Sequence, residues 1–120
     1  MDPDKLQQLA FDLSSRSLFV TIEPVFKKTL KLTLSGSLSM ETVVAFTDRL
    51  EELLQGDYTS LLIDMQQVNY VSAFGINLLV SMKKTADAHG GNMSMLNTPQ
   101  PTRDTIELLG LSSYLAPPTN

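Results

Sequence analysis

The sequence predicts an α/β fold: one mixed sheet of roughly four to five strands, helices mainly on one face, and a short amphipathic helix ahead of it. Three observations predict it. Strand-like and helix-like periodicities alternate along the chain, with no internal repeat and no low-complexity linker. The 120 residues, 42% of them hydrophobic, suit one core rather than two. The short run Leu61-Leu62-Ile63-Asp64-Met65 lacks alternation, as expected of a central strand covered on both faces.

Each element follows from local pattern. Leu6, Leu9, Ala10 and Leu13 recur at helical spacing, with Asp4 and Gln7 placed as a capping-box pair, so residues 4–13 are expected to be a helix. The segment from Leu18 to Ile22 is rich in β-formers. From Thr29 to Leu34, Leu30, Leu32 and Leu34 alternate with Lys31 and Thr33, so the two runs are expected to pair as a hairpin across Glu23 to Lys28. Gly36 is expected to break the second strand. Ser39 then caps a helix that carries Val43, Phe46, Leu50, Leu53 and Leu54 on one face and ends at Gly56. After the Leu61–Met65 strand a second long helix spans about Phe74 to His89, stopped by Gly90-Gly91. Asn92 to Leu96 is a short strand, and Thr102 with Asp104 opens a last helix through Ile106 to Gly110, before a tail ending at Pro117-Pro118. The boundaries expected are an N-terminal extension over residues 1–16 and the domain proper over 17–120.

Composition removes whole classes of function. There is no Cys, so disulfides, thiolate nucleophiles and cysteine-based metal sites are excluded. A single His, His89, sits in a glycine-flanked helix end and supplies neither a multi-histidine metal site nor a base beside a nucleophile; no metal, no cofactor and no catalysis are expected. Glu51 and Glu52 are adjacent on a helix and point in different directions, which suits a solvated face better than a carboxylate pair. Nine Lys and Arg against 13 Asp and Glu give a net charge of −4, the wrong sign for nucleic acid or an anionic lipid surface. No apolar run approaches the roughly 20 residues of a membrane helix. The acidic start Met1-Asp2-Pro3-Asp4 does not resemble a secretory signal, so a cytoplasmic location is expected and the Asn92-Met93-Ser94 sequon is set aside. Met65, Met82, Met93 and Met95 fall at positions that suit core filling.

Function is to be sought at the turn Asn69-Tyr70-Val71-Ser72-Ala73-Phe74-Gly75, which follows the central strand and opens the second long helix. The N-terminus of a helix presents unpaired N–H groups and a positive dipole end. Read from the turn alone, Ser72 is first of all a helix cap.

At this turn the chain resembles the STAS domains, whose founding members are bacterial anti-sigma factor antagonists. The resemblance covers about residues 17 to 117. It rests on the order of elements and on Leu32-Thr33-Leu34-Ser35-Gly36-Ser37-Leu38, where the family has a strand and a Gly-acid-Leu-Asp step. It rests further on Leu62-Ile63-Asp64-Met65 followed by Val68-Asn69-Tyr70, on Gly90-Gly91 with the strand after it, and on Ile106 to Leu111. Where the family reads Asp-Ser-Ser-Gly-Leu-Gly, the ungapped match is Ser72-Ala73-Phe74-Gly75-Ile76-Asn77.

In that family the first Ser of the turn is phosphorylated by a histidine-kinase-like serine kinase that is also the anti-sigma factor, and a PP2C-type phosphatase reverses it. The resemblance puts Ala73 at the phosphoacceptor position, Ser72 at the preceding Asp, and Ser37 and Ser39 at the acid and Asp of the earlier step. A methyl group cannot accept phosphate, so the standard switch is expected to be absent. Three accounts stay open: Ala73 stands in place of a natural Ser, the module works without the switch, or Ser72 is the acceptor.

The resemblance implies a non-enzymatic module acting in partner switching, with a partner-binding surface made of Gly36, Ser37 and Ser39 together with Tyr70, Ser72, Ala73, Phe74, Gly75 and Asn77. Phe74, if exposed, is the anchor. The alternative is a STAS subunit of a larger assembly, a lipid or anion transport system or a stress-sensing scaffold, without a phosphorylation switch. The segment Leu6 to Leu13 is expected to pack on the domain; self-association into a homodimer and partner binding are its other two uses.

Overall fold

A computed structural model describes residues 3–115. In chain order the elements are α1 (Pro3–Leu13), β1 (Leu18–Pro24), β2 (Thr29–Leu38), α2 (Met40–Leu53), β3 (Ser60–Val71), α3 (Ala73–Ala88), β4 (Met93–Leu96), α4 (Gln100–Leu108) and α5 (Ser112–Leu115). The four strands form one sheet in the order β1-β2-β3-β4. β1 runs antiparallel to β2, while β2–β3 and β3–β4 are parallel pairs joined through helices. The expected mixed sheet, the hairpin and the alternation of elements are therefore all present.

Alternation on the strands decides where the core lies. Leu18 and Val20, Leu30, Leu32 and Leu34, Leu61, Ile63 and Met65, and Met93 and Met95 all point to one face and are buried. The helices close that face: Leu9 and Leu13 of α1, Phe46 and Leu53 of α2, Ile76, Leu79 and Met82 of α3 and Ile106 of α4 join the strand residues in a single cluster. The other face, with Phe19, Thr21, Thr33, Leu62 and Asp64, carries no helix among the described residues and is half-buried or exposed. β3 is therefore an inner strand, as expected, but one face of it is open. Its apolar run hides the fact that Leu62 lies on the open side.

Three further expectations are corrected. Gly36 does not break β2, which continues to Leu38; it sits inside the strand at φ 123°. Asp4 is not a cap, because α1 already starts at Pro3 and Asp4 lies in its first turn. α4 starts at Gln100, behind Pro99, with a proline in its first turn, so Thr102 is interior and buried. The four-residue α5 has no counterpart in the periodicity reading, and Pro117-Pro118 lies outside the described residues. The Gly90-Gly91 stop does hold: Gly90 is left-handed at φ 79° and the Gly91 N–H closes on the Ala86 carbonyl at 2.9 Å.

Candidate functional site

Two parallel strands deliver the candidate residues to one end of the sheet. Ser37 lies opposite Tyr70 and Leu38 opposite Val71, and each strand then turns into a helix, α2 through Ser39 and α3 through Ser72. Gly36, Ser37 and Ser39 are thus brought beside the turn from Tyr70 to Asn77. The positive dipole ends of two helices open at the same edge.

Hydrogen bonds fix this edge. The Ser37 hydroxyl donates to Asn69 Oδ1 at 3.0 Å, tying the end of β2 to the turn. Thr42 Oγ1 donates to the Ser37 carbonyl at 3.1 Å and accepts from the Ser39 N–H at 3.4 Å, which pins the first turn of α2. The Ser72 backbone N–H and its hydroxyl both donate to the Leu38 carbonyl, at 2.9 and 3.1 Å. Ser72 Oγ accepts in turn from the Gly75 N–H at 3.2 Å, so it is the N-cap of α3. Gly75 is buried against β2: a Cβ built there would lie 2.7 Å from the Leu38 carbonyl oxygen and 2.8 Å from Leu38 Cβ. Gly36 is tighter still, with the Ser17 carbonyl oxygen 2.1 Å from a Cβ at that position, and the Ser37 N–H donates to that same oxygen at 2.8 Å.

Register shifts shape what is presented. β3 gains a residue on β2 between Asp64 and Gln67 and again between Val68 and Tyr70, so side chains leave strict alternation there. Gln66 and Gln67 are both exposed, as are Asn69 and Tyr70. Tyr70 is 59% exposed and Phe74 47%, while Ala73 and Asn77 are exposed on the first turns of α3. Phe74 is therefore not tucked into the core. Ser37, Ser39, Gly36 and Ser72 are half-buried.

Two residues at this edge escaped the sequence reading. Met40 and Val44, four apart on the outer side of α2, are 54% and 61% exposed and extend the apolar surface. Helical spacing alone places them together, but an apolar residue in a helix reads first as core. The edge carries no group of three metal-ligating side chains among the described residues.

A profile of the STAS domain family, described as "Mlab, STAS domain", matches residues 26–117, and the chain belongs to that family. No curated protein matches the chain in sequence. Among solved structures it is similar to the anti-sigma factor antagonist SpoIIAA in its unphosphorylated form, with a TM-score of 0.71 and 20% identity over 84% of this chain and 89% of that one. An anti-sigma factor antagonist from Mycobacterium paratuberculosis gives a TM-score of 0.72 and 20% identity over 88% and 90% of the two chains. The fold also recurs within SLC26A9, with a TM-score of 0.64 and 14% identity over 92% of this chain and 23% of that one. No helix among the described residues is long and apolar enough to cross a membrane.

Proposed function

We propose that this chain is a non-enzymatic bacterial interaction module resembling an anti-sigma factor antagonist. It acts in the cytoplasm and binds a histidine-kinase-like serine kinase that serves as the anti-sigma factor. The docking surface is Gly36, Ser37 and Ser39 with Tyr70, Ser72, Ala73, Phe74, Gly75 and Asn77. The observation that carries the reading is the exposure of Tyr70 and Phe74, two aromatic rings held at a rigid strand–helix junction. Aromatic anchors presented in that way dominate the energetics of protein interfaces.

The module works without the phosphorylation switch. Ala73, the phosphoacceptor on the ungapped match, has no hydroxyl. Ser72 Oγ is already committed as donor to Leu38 and acceptor from Gly75. A phosphoryl group there would remove the donated proton and set a charge of about −1.5 to −2 against the Leu38 carbonyl. Ser72 is the cap of α3 rather than an acceptor, and the PP2C-type phosphatase has no substrate in this turn. Similarity in fold to part of the much longer SLC26A9 favours a second reading, a STAS subunit of a transport or scaffold assembly, which equally needs no acceptor.

Affinity capture from lysate of the source cells, with and without ADP, separates the two. Wild type is expected to retain a kinase-like ATPase, and Phe74→Asp to lose at least about tenfold of it. Recovery of transport or scaffold subunits with no such kinase would establish the second reading instead.

A further inference from the structure

The geometry points to a second interaction surface, separate from the Tyr70–Asn77 turn: we infer that the groove between α1 and β1 is closed by a second copy of this chain in a two-fold homodimer. The groove holds about 480 Å³, floored by Ala10, Val20 and Ile22 and walled by Phe11 and Phe19, which are 76% and 63% exposed. Two rings so exposed, on the outer side of α1 and on the bare face of the sheet, have no packing role within the domain.

Three features select the occupant. None of the eight side chains lining the groove is charged, although 18% of the chain is. A surface depleted of charge at its centre and rich in aromatic rings has the composition of an interface core. Next, β1 is an edge strand whose hydrogen-bonding groups are partly taken. The Val20 N–H donates to Ser14 Oγ at 3.0 Å, the Leu18 carbonyl accepts from the Ser15 N–H at 2.8 Å, and Pro24 has no N–H to offer. Strand addition over the first half of β1 is thereby blocked, and what the groove offers there is contact through side chains. Lastly, exposed charges of opposite sign flank β1, Arg16 before it and Glu23 near its end, and neither makes an ion pair among the described residues. A two-fold axis perpendicular to β1 reverses the strand, setting each Arg16 toward the partner's Glu23 and each pair of rings into the opposing groove. A parallel arrangement sets like charge against like. With Arg16 set toward the partner's Glu23 the surface is self-complementary, which is the property of an isologous interface.

Sedimentation equilibrium of the full chain, from micromolar to submillimolar concentration, tests this. A monomer–dimer equilibrium is expected. Phe19→Glu and, separately, Phe11→Ser should weaken it at least about tenfold, with thermal unfolding of each variant near that of wild type because both rings are exposed. Arg16→Glu and Glu23→Arg should each weaken dimerisation severalfold, and the double reversal should restore it. A chain that stays monomeric throughout overturns the inference, as does a dimer indifferent to Phe19→Glu. Double reversal no better than either single change would overturn the antiparallel arrangement. Phe11 and Phe19 lie outside the proposed docking surface, so Phe11→Ser and Phe19→Glu leave kinase capture unchanged, and failure of that capture leaves the dimer unchanged; Arg16 adjoins Ser17, whose carbonyl accepts from the Ser37 N–H, so its charge reversal is read on the dimer alone.

Discussion

Ser72 and Phe74 lie two residues apart and do opposite things. Ser72 faces inward, where its hydroxyl bridges the Leu38 carbonyl and the Gly75 N–H and so welds the start of α3 to the end of β2. Replacing it by Ala removes the cap and leaves the carbonyl of buried Leu38 one donor short. Ser72→Ala is expected to destabilise the domain by about 1–2 kcal/mol, read as a lower urea midpoint at unchanged m-value. Phe74 faces outward, so its change to Asp should alter stability little while abolishing partner capture. The cap was legible in the sequence because Ser at a strand–helix junction has a local signature. The exposure of Phe74 was not, because an apolar residue in the first turn suits either the core or the surface, and only the packing of α3 against β2 and β3 decides.

At the scale of elements, the paired ends of β2 and β3 matter most. Gly36 was read as a strand terminator, since glycine punctuates chains locally. Here it does the reverse: at φ 123°, and with no Cβ to strike the Ser17 carbonyl, it allows β2 to pass the start of β1 and continue to Leu38. The requirement comes from a residue 19 positions earlier in the sequence, which no window of local periodicity contains. Gly36→Ala meets both the disfavoured backbone and the clash, and should cost about 3 kcal/mol or more. The bond from the Ser37 N–H to the Ser17 carbonyl should loosen with it, which amide exchange at Ser37 would detect. The length of β3 was misjudged for a related reason. Its register shifts interrupt alternation after Met65, so the strand stops looking like a strand six residues before it ends.

Across the whole molecule the helices bury one face of the sheet and leave the other open, and α1 belongs to that covered face. Leu6, Leu9 and Leu13 are at most 4% exposed and share the core with β1 and α2. Leu13→Ala is therefore expected to cost about 2–5 kcal/mol, visible in thermal unfolding as a single cooperative transition at lower temperature rather than the separate loss of a loose extension. Order of elements, core methionines and sheet type could all be read from periodicity, which is a property of the face each element buries. The open face could not, because the short apolar stretch of β3 looks the same whether one or both sides are covered.

In the proposed function this module binds its kinase-like partner at the α3 turn without being switched there by phosphate. Phosphate incorporation in lysate of the source cells, with Mg-ATP and site mapping by mass spectrometry, tests it on wild type, Ser72→Ala and Ala73→Ser. Label is expected in Ala73→Ser alone, at the introduced hydroxyl. Label in wild type that disappears in Ser72→Ala would contradict it by making Ser72 an acceptor, and absence of label from all three would contradict the kinase as partner.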